Sequence, residues 1–291
     1  MSVVAFASVK ASPGVTTSLL ALAATWPAQR PLLLIEADPD GGDLAARAGL
    51  AHEPGLTSLA AAGRRALAAG ELERHVQPMP GGLPAIVAPA DGDHATRALA
   101  IVAERLAAGL ARSGAGDVLV DCGRLRPGSP ATPLAVGADL LLLVARPRLD
   151  ELQHLGPALR RLAAAGTQPV LLLVGERPYP AAEVAGALHT PALTLPSDAD
   201  TAERLNGQGG RADRLSMSLL LRTARGVAET LVATLARPSD NGRERSVSDR
   251  LTASAAGAPA REGSVSDDAH AVRSGWRTAL TRTSPTAKEG G

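Results

Sequence analysis

Residues 3–17 constrain this chain more than any other stretch. Val3, Val4, Ala5, Phe6 and Ala7 form a short apolar run. A loop of small residues follows, Lys10-Ala11-Ser12-Pro13-Gly14-Val15-Thr16-Thr17, and 18–26 then reads as a helix. A strand that enters a tight loop and opens a helix gathers backbone N–H groups at one point. The first turn of a helix has unpaired donors and carries the positive end of the helix dipole, so an anion such as phosphate fits there. The glycine-rich phosphate loop G-x-x-x-x-G-K-[ST] also places a lysine before its hydroxyl residue. Here that position is Val15.

Charge usage bears on the same loop. The only lysines are Lys10 and Lys288, in a chain that otherwise carries its positive charge on arginine. A compact ammonium on a flexible stem suits a point contact to phosphate. The net charge of +1 gives no global argument for nucleic acid or an anionic membrane, so such binding would need a local patch. The lone Cys122 excludes an internal disulfide and a cysteine-rich metal site. No basic leader precedes the first strand, and no apolar run reaches the ~20 residues that span a bilayer. The expected location is cytoplasmic.

At 291 residues and 45% hydrophobic content the chain can build a large core, which with 1% aromatics must come from Ala, Leu and Val. Along the chain, apolar runs bounded by turn formers predict buried parallel strands at 31–37, 83–87, 117–120, 139–145, 169–174 and 192–195. Between them, 44–48, 56–69, 95–112, 149–165, 181–188 and 201–205 read as helices, and 215–235 as a long last one. The Pro- and Gly-rich segment 127–133 reads as a loop. Alternating strands and helices predict an α/β fold, a doubly wound, mostly parallel sheet with helices on both faces. Its ligands would sit beyond the carboxyl ends of the strands. Residues 1–238 form the expected domain. Residues 239–291, rich in Ser, Ala, Gly, Asp and Arg, predict a disordered tail, because so little apolar surface cannot offset the entropy of folding.

Acids stand at two of the strand ends, Asp38 and Asp121, where either could serve as a turn or cap residue or face a ligand. His52, His75, His94, His154 and His189 show no metal-ligand spacing. Arg204, Arg211, Arg214, Arg222 and Arg225 gather around the last helix, diluted by Glu203, Asp213 and Glu229. A solvated helix face and a surface for non-specific DNA both fit that pattern. In the tail, Val272, Trp276 and Leu280 are spaced for a short amphipathic helix over 271–282, which could touch a membrane or a partner; Gly275 weakens it.

In order and spacing these elements resemble the ParA/MinD family of deviant P-loop ATPases, whose loop pattern is K-G-G-x-G-K-[ST]-[ST]. Lys10 matches the signature lysine, Gly14 a loop glycine, and Thr16 and Thr17 the hydroxyl pair. The segment 33–42, ending Asp38-Pro39-Asp40-Gly41, is similar to the family's switch I, and Val118-Leu119-Val120-Asp121-Cys122-Gly123 to its Walker B strand and switch II. Leu195-Pro196-Ser197-Asp198 resembles the late base-side loop. The likeness covers roughly the residues before the compositional change at 238.

The resemblance implies a homodimer that sandwiches ATP and Mg2+. It casts Lys10 as the residue reaching the partner's phosphates and Asp38 as the one orienting the attacking water. Ser12, Gly14, Thr16, Thr17, Pro196 and Asp198 would line the nucleotide, with Thr16 ligating Mg2+ and Asp121 holding its shell. These roles suit phosphoryl transfer, which depends mainly on positioning and on neutralising charge. The departures are as specific. Val15 replaces the phosphate-clamping lysine, Ala11 and Ser12 replace glycines, and Pro13 removes a backbone donor. A charge-assisted contact is worth about 1.5–3 kcal/mol, so the missing lysine costs roughly tenfold to a hundredfold in affinity. Gly175-Glu176-Arg177 stand where the family often reads adenine with an asparagine, leaving the base open. The expected function is an ATP-dependent dimerisation switch or scaffold in chromosome or plasmid partitioning or cell organisation, with weak or absent hydrolysis. The alternative is a nucleotide-independent adaptor that keeps the fold for docking, with its protein partner unspecified.

Overall fold

A computed structural model describes residues 1–10, 13–63, 71–111, 116–207 and 218–236. Its centre is strand β1 (Val3–Ser8), buried on both faces, as a continuous apolar run requires of a central parallel strand. Eight strands form one sheet in the order β3-β4-β2-β5-β1-β6-β7-β8. They are β2 (Leu32–Glu36), β3 (Gln77–Pro78), β4 (Pro84–Ile86), β5 (Asp117–Arg124), β6 (Leu140–Ala145), β7 (Val170–Val174) and β8 (Ala192–Leu195). All neighbours pair in parallel except β3, a two-residue edge strand antiparallel to β4. This is the doubly wound, mostly parallel α/β sheet expected from the alternation.

Two apolar layers sandwich the sheet. One face carries Val4, Phe6, Leu34, Leu119 and Leu142 beneath α1 (Val15–Ala23), α2 (Leu44–Ala48) and α9 (Leu219–Leu235). The other carries Val3, Ala5, Ile35, Val120 and Leu143 beneath α3 (Leu56–Ala62), α4 (Gly92–Leu110), α5 (Thr132–Val136), α6 (Leu149–Ala164) and α7 (Ala181–Leu188). Each fully buried Val, Leu or Ile is worth roughly 1.5–3 kcal/mol, so a polar residue in these strands must have partners. Helix α8 (Ala199–Leu205) completes the set among the described residues.

The start of β1 is held by two acids at the amino edge of the sheet. Asp139 accepts from the Val3 N–H at 2.7 Å and Asp117 from the Ser2 N–H at 2.9 Å. Asp117 also accepts from the Trp26 indole at 2.9 Å and pairs with Arg30. Hydrogen bonds and charge from Arg30 and Trp26 outweigh its burial and hold its carboxyl below the usual range.

Several boundaries differ from the sequence expectation. Helix α1 begins at Val15 rather than 18, because Gly14 takes the left-handed conformation (φ 98°) that turns the chain into the helix. Strand β5 runs on to Arg124 instead of stopping at 120: Asp121 pairs with Phe6 and, after a one-residue register shift, Arg124 with Ser8, and the acid is tolerated because its carboxylate is hydrogen-bonded. The expected loop 127–133 runs into α5, with Pro133 in the first turn, where a missing N–H costs nothing. Helix α4 starts earlier, at Gly92, where Asp91 caps the His94 N–H at 2.8 Å. The last helix begins at Leu219, capped by Ser218, and 215–217 lie outside the described residues. So do the expected tail 239–291 and its 271–282 helix, and the 64–69 end of the third expected helix.

Candidate functional site

The carboxyl ends of β1, β2 and β5 meet at the start of α1. Gly14 caps α1 with its backbone, its carbonyl accepting from the Ser18 N–H at 2.8 Å, and no side chain caps the helix. Among the described residues, no side chain caps the first-turn donors of α1, which face the loop. Thr16 and Thr17 stand in that turn, half-buried.

Thr16 Oγ1 donates to Asp121 Oδ2 at 2.6 Å, joining the helix to the end of β5. The other oxygen, Asp121 Oδ1, accepts from the Gly123 N–H at 2.9 Å. Asp121 is buried, and burial raises its proton affinity against the opposing effect of Thr16 and Gly123. A hydroxyl and a carboxylate so close, at the mouth of an open helix N-terminus, fit a hydrated Mg2+ that takes its remaining ligands from phosphates and water. The pair predicted as metal-binding is thus brought together.

Asp38 lies across β5. Its carboxylate rests on Gly123, whose φ of +55° and close approach both demand glycine, since a Cβ would overlap the acid. The Asp40 N–H donates to Asp38 Oδ1 at 2.8 Å, and the Ala37 N–H to the Asp121 carbonyl at 2.7 Å, tying the two post-strand segments together. Asp40 also pairs with Arg126 at 2.9 Å on the exposed rim. Burial, then the charges of Asp121, Asp40 and Asp43, push Asp38 up to about 6, a value suited to exchanging a proton near neutrality.

Glu36, the last residue of β2, was not among the expected site residues. It is 1% exposed, and its carboxylate accepts three backbone N–H groups: Asp43 at 2.7 Å and Leu44 at 2.9 Å on Oε1, and Ala88 at 2.8 Å on Oε2. Glu36 therefore holds the 37–44 segment against the end of β4, and Gly42 is small because a Cβ would run into that carboxylate. Burial raises Glu36 to about 7 even though the three donors favour its charged form. The signal was present in the sequence: an acid ending an otherwise apolar strand must find partners. Arg47, Asn206 and Arg126 were also missed, and only the fold brings them near.

The remaining predicted residues fall as follows. Lys10 is half-buried just beyond β1, and Ser12 lies outside the described residues. Val15 is 8% exposed and packs among Phe6, Leu19 and Leu142, so the lysine position has been given to the core. Pro196 and Asp198 follow β8, three strands from β1. Asp198 caps α8, accepting from the Thr201 N–H at 3.0 Å and the Thr201 hydroxyl at 2.7 Å, while the far end of α8 reaches Thr17 through Asn206 at 3.4 Å. Arg222 and Arg225 are exposed on α9 beside exposed Glu229, Arg204 is half-buried, and Arg211 and Arg214 lie outside the described residues.

Several solved structures share this fold. A ParA family ATPase from Chlorobium tepidum matches with a TM-score of 0.66 and 21% identity, over 78% of this chain and 97% of that one. The fold is that of the ParA/MinD ATPases. The ParA/MinD fold recurs in MinD from Pyrococcus horikoshii complexed with Mg-ADP (TM-score 0.62, 18% identity, 81% of this chain and 99% of that one). It recurs again in an ATP complex of Cyanothece McdA (TM-score 0.56, 19% identity, 79% and 95%). No protein-family model matches the sequence, and no curated protein does. At these identities the ParA/MinD likeness is one of fold, and the functional argument rests on the side chains above.

Proposed function

We propose that this chain is a nucleotide-binding protein of the ParA/MinD type that works as an ATP-dependent dimerisation switch or scaffold in partitioning or cell organisation, with weak or no hydrolysis. The observation that carries the reading is the Thr16–Asp121 hydrogen bond at the open N-terminus of α1, behind the left-handed Gly14. Mg2+ held there would neutralise phosphate charge. Thr16 is its ligand, Asp121 orders its shell, and the α1 donors take phosphate oxygens. Lys10 supplies a positive point charge at the loop's entrance and Asp38 orients water, but without a lysine at position 15 the site binds better than it reacts. Two relatives in fold, MinD with Mg-ADP and McdA with ATP, support the cofactor assignment.

Isothermal titration with ATP and Mg2+ tests the reading: the full chain binds in the micromolar to millimolar range, and Val15→Lys tightens binding. No heat at millimolar nucleotide for either protein refutes it. Burial of Val15 favours a second reading, in which the fold serves as a nucleotide-independent docking surface. Sedimentation with and without ATP separates the two, because a switch shifts its monomer–dimer equilibrium with nucleotide and an adaptor does not.

A further inference from the structure

The loop is one charge short, and an arginine from another element stands next to it. We propose that Arg47 supplies to the phosphates of a bound nucleotide the positive charge that Val15 does not; the inference rests on the nucleotide reading above. Arg47 lies in α2, beyond the carboxyl end of β2, with its side chain only 19% exposed. Its Nη1 donates to Asn206 Oδ1, and its Nη2 pairs with Asp43 Oδ2 at 3.0 Å. The Thr17 hydroxyl approaches the same Asn206 oxygen at 3.4 Å.

A guanidinium and a hydroxyl of the α1 first turn therefore converge on one oxygen atom, at the helix end where an anion is favoured. Asn206 Oδ1 is neutral. A phosphate oxygen in its place would receive the same two donors as charge-assisted bonds, about twice as strong as neutral ones. The contact is built in by close packing: Gly207, at φ +77°, lies so near the Arg47 carbonyl that a Cβ would collide with it. The end of α8 is thereby pressed onto the end of α2. Asn206 acts as a stand-in that ligand displaces, and Asp43 keeps the guanidinium in place meanwhile.

Titration of the full-length protein with ADP and Mg2+ decides the matter. Arg47→Gln, which keeps length and polarity, weakens ADP binding at least tenfold, and Val15→Lys in that background recovers most of the loss. Asn206→Asp places a carboxylate where the phosphate oxygen belongs and also weakens binding at least tenfold, with Arg47 untouched. Thermal melts with the circular dichroism of the wild type establish that the variants are folded, and should Arg47→Gln fail to fold, the Asn206→Asp arm stands alone. Folded Arg47→Gln or Asn206→Asp binding ADP within twofold of wild type overturns the inference and leaves nucleotide binding intact. A wild type that binds no nucleotide overturns both.

Discussion

Replacing Glu36 with glutamine separates the burial of this acid from its hydrogen bonds. The side chain keeps its shape and one oxygen, which can still receive the Asp43 and Leu44 N–H groups. Its amide nitrogen then faces the Ala88 N–H, leaving a buried donor unpaired at a cost of about 1–3 kcal/mol at every pH. The distinguishing effect is in the pH dependence. Burial holds Glu36 at about 7 against its ordinary 4.5, so the folded protein binds this proton more tightly than the unfolded chain does. Such a group stabilises the fold fully below the unfolded value, and that stabilisation disappears as pH rises through the folded value. At about 1.4 kcal/mol per tenfold change in proton affinity, the advantage of wild type over Glu36→Gln shrinks by about 3 kcal/mol between pH 4.5 and 8. Urea unfolding followed by circular dichroism at half-unit intervals measures it in both proteins, and subtraction removes the titrations common to the two. Curves that run parallel, or diverge as pH rises, refute the reasoning. They would mean that the three N–H donors outweigh burial and Glu36 stays a carboxylate throughout.

Other consequences follow from the same geometry. Gly123→Ala forces a β-carbon into the space of the Asp38 carboxylate at a left-handed φ, and a loss of about 1–2 kcal/mol in thermal unfolding is expected. Restored stability in Gly123→Ala/Asp38→Ala would place the strain at that contact. Asp117→Asn leaves Arg30 and a backbone donor poorly matched at the amino edge of β1; because Arg30 is partly exposed, the expected loss is about 2 kcal/mol rather than the full value for a buried pair. Urea melts measure it, and a loss under half that size would show that Asp139 alone secures the strand.

The parallel strands were legible because each is a nearly unbroken apolar run, as a sheet buried on both faces requires; the antiparallel edge strand β3 (Gln77–Pro78) was not, because two residues without an apolar run leave no pattern. The candidate site's residues could be singled out where they are local: Gly14, Thr16 and Thr17 fall within four positions, and Asp38 and Asp121 follow apolar runs. What escaped depended on groups far apart in sequence. Glu36 is satisfied by Ala88 and Arg47 by Asn206, and neither pairing leaves a periodic trace. The extension of β5 was hidden for a related reason: an acid and a glycine read as a turn until Thr16 and β1 are present to receive them.

The position of β1 sets the order of events at the ribosome. It precedes both of its partners in the chain, Val118–Asp121 on one side and Leu140–Leu143 on the other. At a synthesis rate of about 5–20 residues per second, β1 waits roughly 5–25 s for β5 and longer for β6. During that interval a largely apolar strand with two open edges can pair with any other extended chain. The centre of the sheet, and with it the loop at its end, is therefore completed only after residue 145 has emerged. Nascent chains truncated before residue 117 are expected to need a holding chaperone to stay in solution, and chains released beyond residue 145 to need it far less.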